Sequence, residues 1–205
     1  FYTRTLFGWF PGKRSALSNH DAFVEARVYW ANATKDLTLA EFGPGWEFAT
    51  RSGFSGFIWP KMFVEELSEP FELSDDAAVP AGRYTYPGLT LRLQTPPGRL
   101  LNTMVMADVG GYYDGWRVSL GAMPTWSGIS DLEIGGMLQY NLVKFPARGQ
   151  TYLAPLGQLR VLATLSVKFS ASALVQYNGD DDTVTTNVRF RYNPREGTDV
   201  YLVYN

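Results

Sequence analysis

The stretch LTLRLQTPPGRLLNTMVMADV, residues 89–109, carries two segments in which every second side chain is apolar, separated by a Pro-Pro-Gly turn. Leu89, Leu91 and Leu93 interleave with Thr90, Arg92 and Gln94. Pro96-Pro97-Gly98 then ends the segment, because proline cannot donate to a strand ladder. Beyond the turn, Leu101, Thr103, Val105, Ala107 and Val109 share one face, and Asn102, Met104, Met106 and Asp108 share the other. A period of two is the signature of a strand with unlike faces, so this stretch reads as a β-hairpin.

The pattern continues toward the C-terminus. Trp116, Val118, Leu120 and Ala122 oppose Arg117 and Ser119; Leu132, Ile134, Leu138 and Tyr140 oppose Glu133, Gln139 and Asn141. Leu159, Val161 and Ala163 oppose Gln158, Arg160 and Thr164, and Phe169 to Tyr177 and Val184 to Tyr192 alternate in the same way. Toward the N-terminus, Thr3–Phe10, Ala22–Ala31, Trp46–Arg51 and Phe54–Glu66 are further strand candidates, with Pro60 expected at a bulge or break. About twelve strands result. The connections 96–99, 127–130, 166–168 and 194–198 read as compact turns, and 68–82, 110–115, 145–151 and 178–182 as longer links. In an up-and-down meander every second connection lies at the same end, so this alternation predicts short turns at one end and longer loops at the other.

Composition fits an all-β chain. Of its 205 residues, 15% are aromatic, with 20 glycines and 12 prolines to punctuate short elements. A net charge of -2 lacks the basic excess that phosphate neutralisation needs, so nucleic acid is not an expected partner. With no cysteine, disulfides and cysteine-based zinc sites are excluded. No apolar run is long enough for a spanning helix, but a barrel strand needs only about 10 residues with alternate ones apolar. The mean hydropathy of -0.14 is compatible with such a chain. The apolar face also uses many small residues, including Ala107, Ala122, Ala163, Ala171 and Ala173, as a lipid-facing surface tolerates.

Three C-terminal segments, Phe169-Ser-Ala-Ser-Ala-Leu-Val-Gln-Tyr-Asn178, Asn187-Val-Arg-Phe-Arg-Tyr-Asn193 and Arg195-Glu-Gly-Thr-Asp-Val-Tyr-Leu-Val-Tyr-Asn205, resemble the C-terminal barrel region of a large uncharacterised bacterial family. Val79-Pro-Ala-Gly-Arg-Tyr84 and Thr95-Pro-Pro-Gly-Arg99 look like loop and turn elements of the same family. Members carry an N-terminal module similar to family 9 carbohydrate-binding domains. The resemblance implies an outer-membrane barrel associated with a sugar-binding-like module. The chain opens at Phe1 already in strand-like sequence and ends at Asn205 without the terminal aromatic of a complete barrel, so it reads as a portion of a longer protein.

The fold expected is therefore an antiparallel up-and-down transmembrane β-barrel, residues 1–205 forming one barrel domain that is part of a larger barrel. Charges at alternate strand positions, Arg92, Asp108, Arg117, Glu133, Arg160, Arg189 and Arg191, are expected to line the lumen, since each would cost about 2 to 4 kcal/mol against lipid at the midplane. They form either a selectivity wall for a polar solute or a salt-bridged filling. Trp116, Trp126, Tyr140, Tyr177, Tyr192 and Tyr204, near strand ends, are expected as interfacial aromatics.

Catalytic chemistry finds little support. His20, the single histidine, lies in polar Ser18-Asn-His-Asp21 and reads as a solvated loop residue rather than a general base. Gly53-Phe-Ser-Gly56 fails as a nucleophile elbow because Phe57 stands where the final glycine is needed. Asp180-Asp-Asp182 lacks the one-three-five spacing of a calcium loop and reads as an exposed acidic hairpin. No cofactor or metal is expected. The expected function is membrane anchor or passage for polar solutes, with the bilayer, a polar solute or glycan, and neighbouring chains that complete the sheet as partners. A soluble β-sandwich carbohydrate-binding module and a barrel-borne hydrolase are the alternatives.

Overall fold

A computed structural model describes residues 1–74 and 77–205. Among these residues fourteen strands follow in order: β1 (Tyr2–Trp9), β2 (Leu17–Trp30), β3 (Leu37–Thr50), β4 (Ser55–Leu67), β5 (Phe71–Ser74), β6 (Ala77–Val79), β7 (Gly82–Gln94), β8 (Leu101–Tyr112), β9 (Gly115–Ile129), β10 (Leu132–Phe145), β11 (Gln150–Thr164), β12 (Phe169–Asn178), β13 (Thr183–Arg195) and β14 (Thr198–Tyr204). Among the described residues, one 3-10 turn spans Pro146–Arg148. Twelve strands form one sheet in chain order, interrupted only where β5 and β6 leave it as a separate hairpin between β4 and β7. This is an antiparallel up-and-down meander. The sheet is not closed: β1 and β14 are its two edges.

The hairpin read from residues 89–109 is present as the end of β7 and most of β8. Most strands run 12 to 15 residues, well beyond the usual length of about 5–6 in globular sheets. Where the chain was expected to break, it continues. Pro60 pairs with Leu89 in an uninterrupted β4–β7 register, and β3 and β4 keep a constant register on either side of the gap where Pro44 stands across from Pro60. Two prolines facing each other lose their ladder bonds together, so no bulge is required. Trp59 Nε1 donates to the Gly43 carbonyl at 3.2 Å, satisfying an acceptor within that gap.

Several glycines are strand residues for a packing reason. A Cβ on Gly45 would overlap the Phe23 ring, and one on Gly43 would overlap the Pro60 carbonyl oxygen. Gly110, at φ +146, and Gly111 likewise lie against Pro87, Gly88 and Tyr86. The expected long link at 110–115 is therefore a two-residue turn, Tyr113 and Asp114, and the predicted alternation of loop lengths is largely absent. Only the link from β4 to β7, which carries the β5–β6 hairpin, stands out.

Cα packing divides the chain into two units, Phe1–Pro96 with Val105–Leu120 and Asn141–Leu153, and Pro97–Met104 with Gly121–Tyr140 and Ala154–Asn205. The first holds the buried apolar side chains found among the described residues. Phe23, Trp59, Phe63 and Tyr86 lie on one sheet face, with Phe63 stacked on Tyr86 at 5.0 Å. Ala77 and Val79 of the hairpin pack on Val143 and Phe145 of β10, with Leu67, Tyr84, Tyr112 and Tyr152 around them. Arg148 ties the hairpin down, donating to the Ala78 carbonyl and pairing with Asp114 at 2.7 Å. In the second unit, β11 to β14 present polar side chains on one face and exposed apolar ones on the other.

Replacing Gly43 by alanine should destabilise the fold by about 1–3 kcal/mol, because backbone rather than a movable side chain occupies the site. Gly157→Ala, with nothing within 4 Å of the added carbon, should be close to neutral. Urea midpoints followed by tryptophan fluorescence compare the two; equal midpoints would contradict the account of β3.

Candidate functional site

Period two places Asp21, Phe23, Glu25 and Arg27 of β2 on one face, and the register brings that face together with Arg4 of β1, Glu41 and Glu47 of β3 and Lys61 of β4. Arg4 is directly opposite Glu25, and Arg27 directly opposite Glu41. Cross-strand neighbours of opposite charge attract, and here they join into a chain. Glu47 pairs with Arg4 at 2.6 Å, Arg4 with Glu25 at 3.7 Å, Glu25 with Arg27 at 2.5 Å, Arg27 with Glu41 at 3.1 Å and Glu41 with Lys61 at 2.8 Å. Three acids alternate with three bases, so the row is neutral.

Two acids of the row are buried. Glu25 is 2% exposed and Glu41 7%. The cations lie on aromatic faces: Arg4 over Phe23 at 4.2 Å, Lys61 over Trp59 at 4.2 Å and Arg27 over Trp59 at 5.2 Å. Such contacts favour a desolvated cation. Each buried carboxylate lies between two cations, whereas either partner alone would carry a desolvation penalty of several kcal/mol. Beside the row is an open cleft of about 480 Å³, lined also by Asn19, Asp21, Arg92 and Gln94.

Further along the same face, Asp108 of β8 accepts a hydrogen bond from Thr90 Oγ1 at 2.6 Å. Asp108 and Arg117 share a small cleft with Lys61, and the Arg117 guanidinium lies over the Tyr112 ring at 4.8 Å. Tyr86 and Tyr113 lie close to Glu65. In the β8–β9 turn, burial first and then the neighbouring Glu65 carboxylate raise the Tyr113 phenol above its ordinary range, so it remains protonated.

In the second unit, Arg160, Arg189 and Arg191 fall on one face with Gln158, Ser170, Ser172 and Gln176, opposite Val161, Val175 and Phe190. Arg191 Nε donates to Asp199 at 2.8 Å. Arg92, Arg160 and Arg189 form no ion pair among the described residues. Glu133 is half-buried in β10. Of the seven charges singled out from sequence, Arg92, Asp108 and Arg117 thus belong to the first unit's polar face and Arg160, Arg189 and Arg191 to the second's. The densest charge cluster, from Arg4 to Lys61, was missed. Its signal was present in the alternation of Asp21, Glu25 and Arg27, but Gly43-Pro-Gly45 hid the strand that completes it.

The opposite face is apolar and exposed. Trp116 stands at the start of β9, and Tyr177, Tyr192 and Tyr204 within four residues of the ends of β12, β13 and β14; Trp126 is near the end of β9, and Tyr140 lies deeper in β10. A larger aromatic group joins β1, β2 and β3. Phe7 meets Trp9 at 4.5 Å, Trp9 stacks on His20 at 5.1 Å, and Trp46 stacks on Phe48 at 4.7 Å. His20 is therefore not a loop residue. It lies within β2, and its Nδ1 accepts a hydrogen bond from Trp46 Nε1 at 3.3 Å, which gives it a structural partner in place of a nucleophile. Asp180–Asp182 occupy the exposed turn between β12 and β13, where Asp182 accepts from the Tyr177 hydroxyl and Asp181 from Thr183.

The chain matches no protein-family model, no curated protein and no solved structure.

Glu25→Gln should lower stability by about 1–3 kcal/mol, since it removes the buried anion that the partly exposed Arg4 and Arg27 share. Asp199→Asn, at an exposed pair, should leave the unfolding midpoint unchanged. The ordering of the two midpoints in urea is the test, and equal effects would remove the energetic distinction between the two sites.

Proposed function

We propose that this chain forms part of the wall of a bacterial outer-membrane β-barrel and serves as a membrane anchor, with a passage for polar solutes as the second reading. The observation that carries it is the inverted distribution of polarity in the first unit. Glu25 and Glu41 are buried in an ion-pair row, while Val24, on the other face of the same strand, is 59% exposed and Phe42, beside Glu41, is 48% exposed. In water alone that arrangement loses twice, by desolvating charge and by hydrating large apolar side chains. Against acyl chains the apolar face has its solvent, and the charges have the only environment open to them.

Strand length supports the same reading. A tilted strand crosses the hydrocarbon core with about 9–11 residues, and most strands here exceed that. All backbone donors and acceptors within lipid need partners, so β1 and β14 call for further strands, from the rest of the protein or from a neighbour. The anchor role is favoured because the neutral ion-pair row and the β5–β6 hairpin occupy much of the first unit's polar face. The cleft beside Arg92 favours the passage. A link to glycans rests on the family resemblance of the C-terminal third.

Two measurements test the membrane reading. The protein should be monodisperse only in detergent or lipid; monodispersity in detergent-free buffer would overturn the reading. Phe42→Arg should cost about 2–4 kcal/mol and reduce insertion into vesicles, while Gln94→Arg, on the polar face, should insert normally. Equal insertion of both variants would mean that the apolar face does not meet lipid.

A further inference from the structure

The aromatic group shared by β1, β2 and β3 lies beside a loop whose charge is one-sided. Phe10, 85% exposed, follows Trp9 directly, and Lys13 and Arg14 are exposed three and four residues further on. Arg51, in the connection between β3 and β4, fixes this loop. Its Nε donates to the Ser15 carbonyl at 2.9 Å, and its Nη2 to the carbonyls of Pro11 at 3.2 Å and Gly12 at 3.3 Å. The two connections thus form one structure. They carry Lys13, Arg14 and Arg51 and no acid.

Charge is divided between the ends of the first unit. The connections that alternate with these, 31–36, 68–81, 113–114 and 146–149, carry among their described residues Asp36, Glu69, Glu72 and Asp114 against Lys35 and Arg148. Nothing in the strand registers requires the basic residues to gather at one end. Salt bridges do not account for them either, since Lys13, Arg14 and Arg51 form none among the described residues. What they share is position at the rim of an exposed aromatic belt.

We propose that this rim is a binding site for anionic phospholipid headgroups, a deepening of the membrane reading on which it rests. Trp9, Phe10 and Trp46 would lie at the level where acyl chains meet headgroups, as amphipathic rings do in membrane girdles. Lys13 and Arg14 then reach the phosphates directly above, and Arg51 holds the loop in place through backbone carbonyls. Charge complementarity selects the occupant: three cations without a carboxylate among them attract an anionic headgroup and give a zwitterionic one no advantage. Each basic residue near an anionic surface contributes about fivefold to partitioning.

The experiment uses the protein in phosphatidylcholine vesicles containing a small fraction of either dibrominated phosphatidylglycerol or dibrominated phosphatidylcholine, with quenching of tryptophan fluorescence as the readout. Brominated phosphatidylglycerol should quench more strongly at equal fraction. The difference should disappear in Lys13→Glu/Arg14→Glu and in Trp9→Phe/Trp46→Phe, while Lys35→Glu, on an alternate connection, retains it. Equal quenching by the two lipids in the unmodified protein would overturn the headgroup site and leave the membrane reading intact. Quenching by neither lipid would overturn the membrane reading itself. Loss of the difference in Lys35→Glu as well would assign it to overall charge and also overturn the site.

Discussion

The polar face of the first unit is organised by one constraint: a carboxylate removed from water must remain between cations. Glu25 meets Arg4 on one neighbouring strand and Arg27 two residues along its own, and Glu41 meets Arg27 and Lys61. Those pairings hold only if β1, β2, β3 and β4 keep their register, because a slip of one residue would send every charge to the other face. The ion-pair row therefore specifies alignment in a sheet whose long strands would otherwise have several acceptable offsets. Its energetic contribution is smaller than the number of contacts suggests, since desolvation offsets much of the attraction.

Apolar packing follows from that alignment. Phe23 occupies the space left by Gly45 and meets Phe57 at 5.5 Å, and Trp59 gives its indole N–H to Gly43 while its ring lies under Lys61. Aromatic rings thus lie against the cations and lower the local polarity, which strengthens each pair. The β5–β6 hairpin covers a further part of the unit through Ala77 and Val79. With these groups in place, the polar face has both a filled region and an open cleft, while the opposite face is left to the exposed rings and aliphatic side chains.

Much of this was legible in the order of residues. The strands from β7 onward were readable because their period of two is unbroken, and with it the shared face of Arg160, Arg189 and Arg191. The first eighty residues were harder for a physical reason. Gly43, Pro44 and Gly45 have turn chemistry when read alone, yet each is accommodated by a partner strand: Pro44 stands across from Pro60, and the two glycines make room for Pro60 and Phe23. His20 and Gly110-Gly111 are the same case: their polarity or flexibility is that of a loop, yet they lie within β2 and β8.

The sequence by itself determined that the chain is β-stranded, that its strands have one apolar and one polar face, and which charged residues share a face within each strand. These follow from the backbone, because successive side chains in an extended chain point to opposite sides whatever surrounds them. Only the tertiary structure decided that Arg4, Glu25, Arg27, Glu41 and Lys61 form one row, that Arg51 holds the loop of Lys13 and Arg14, and that the hairpin between β4 and β7 packs on β10. Those outcomes depend on register and on contacts between residues far apart in the chain, and periodicity along a single strand contains no information about either.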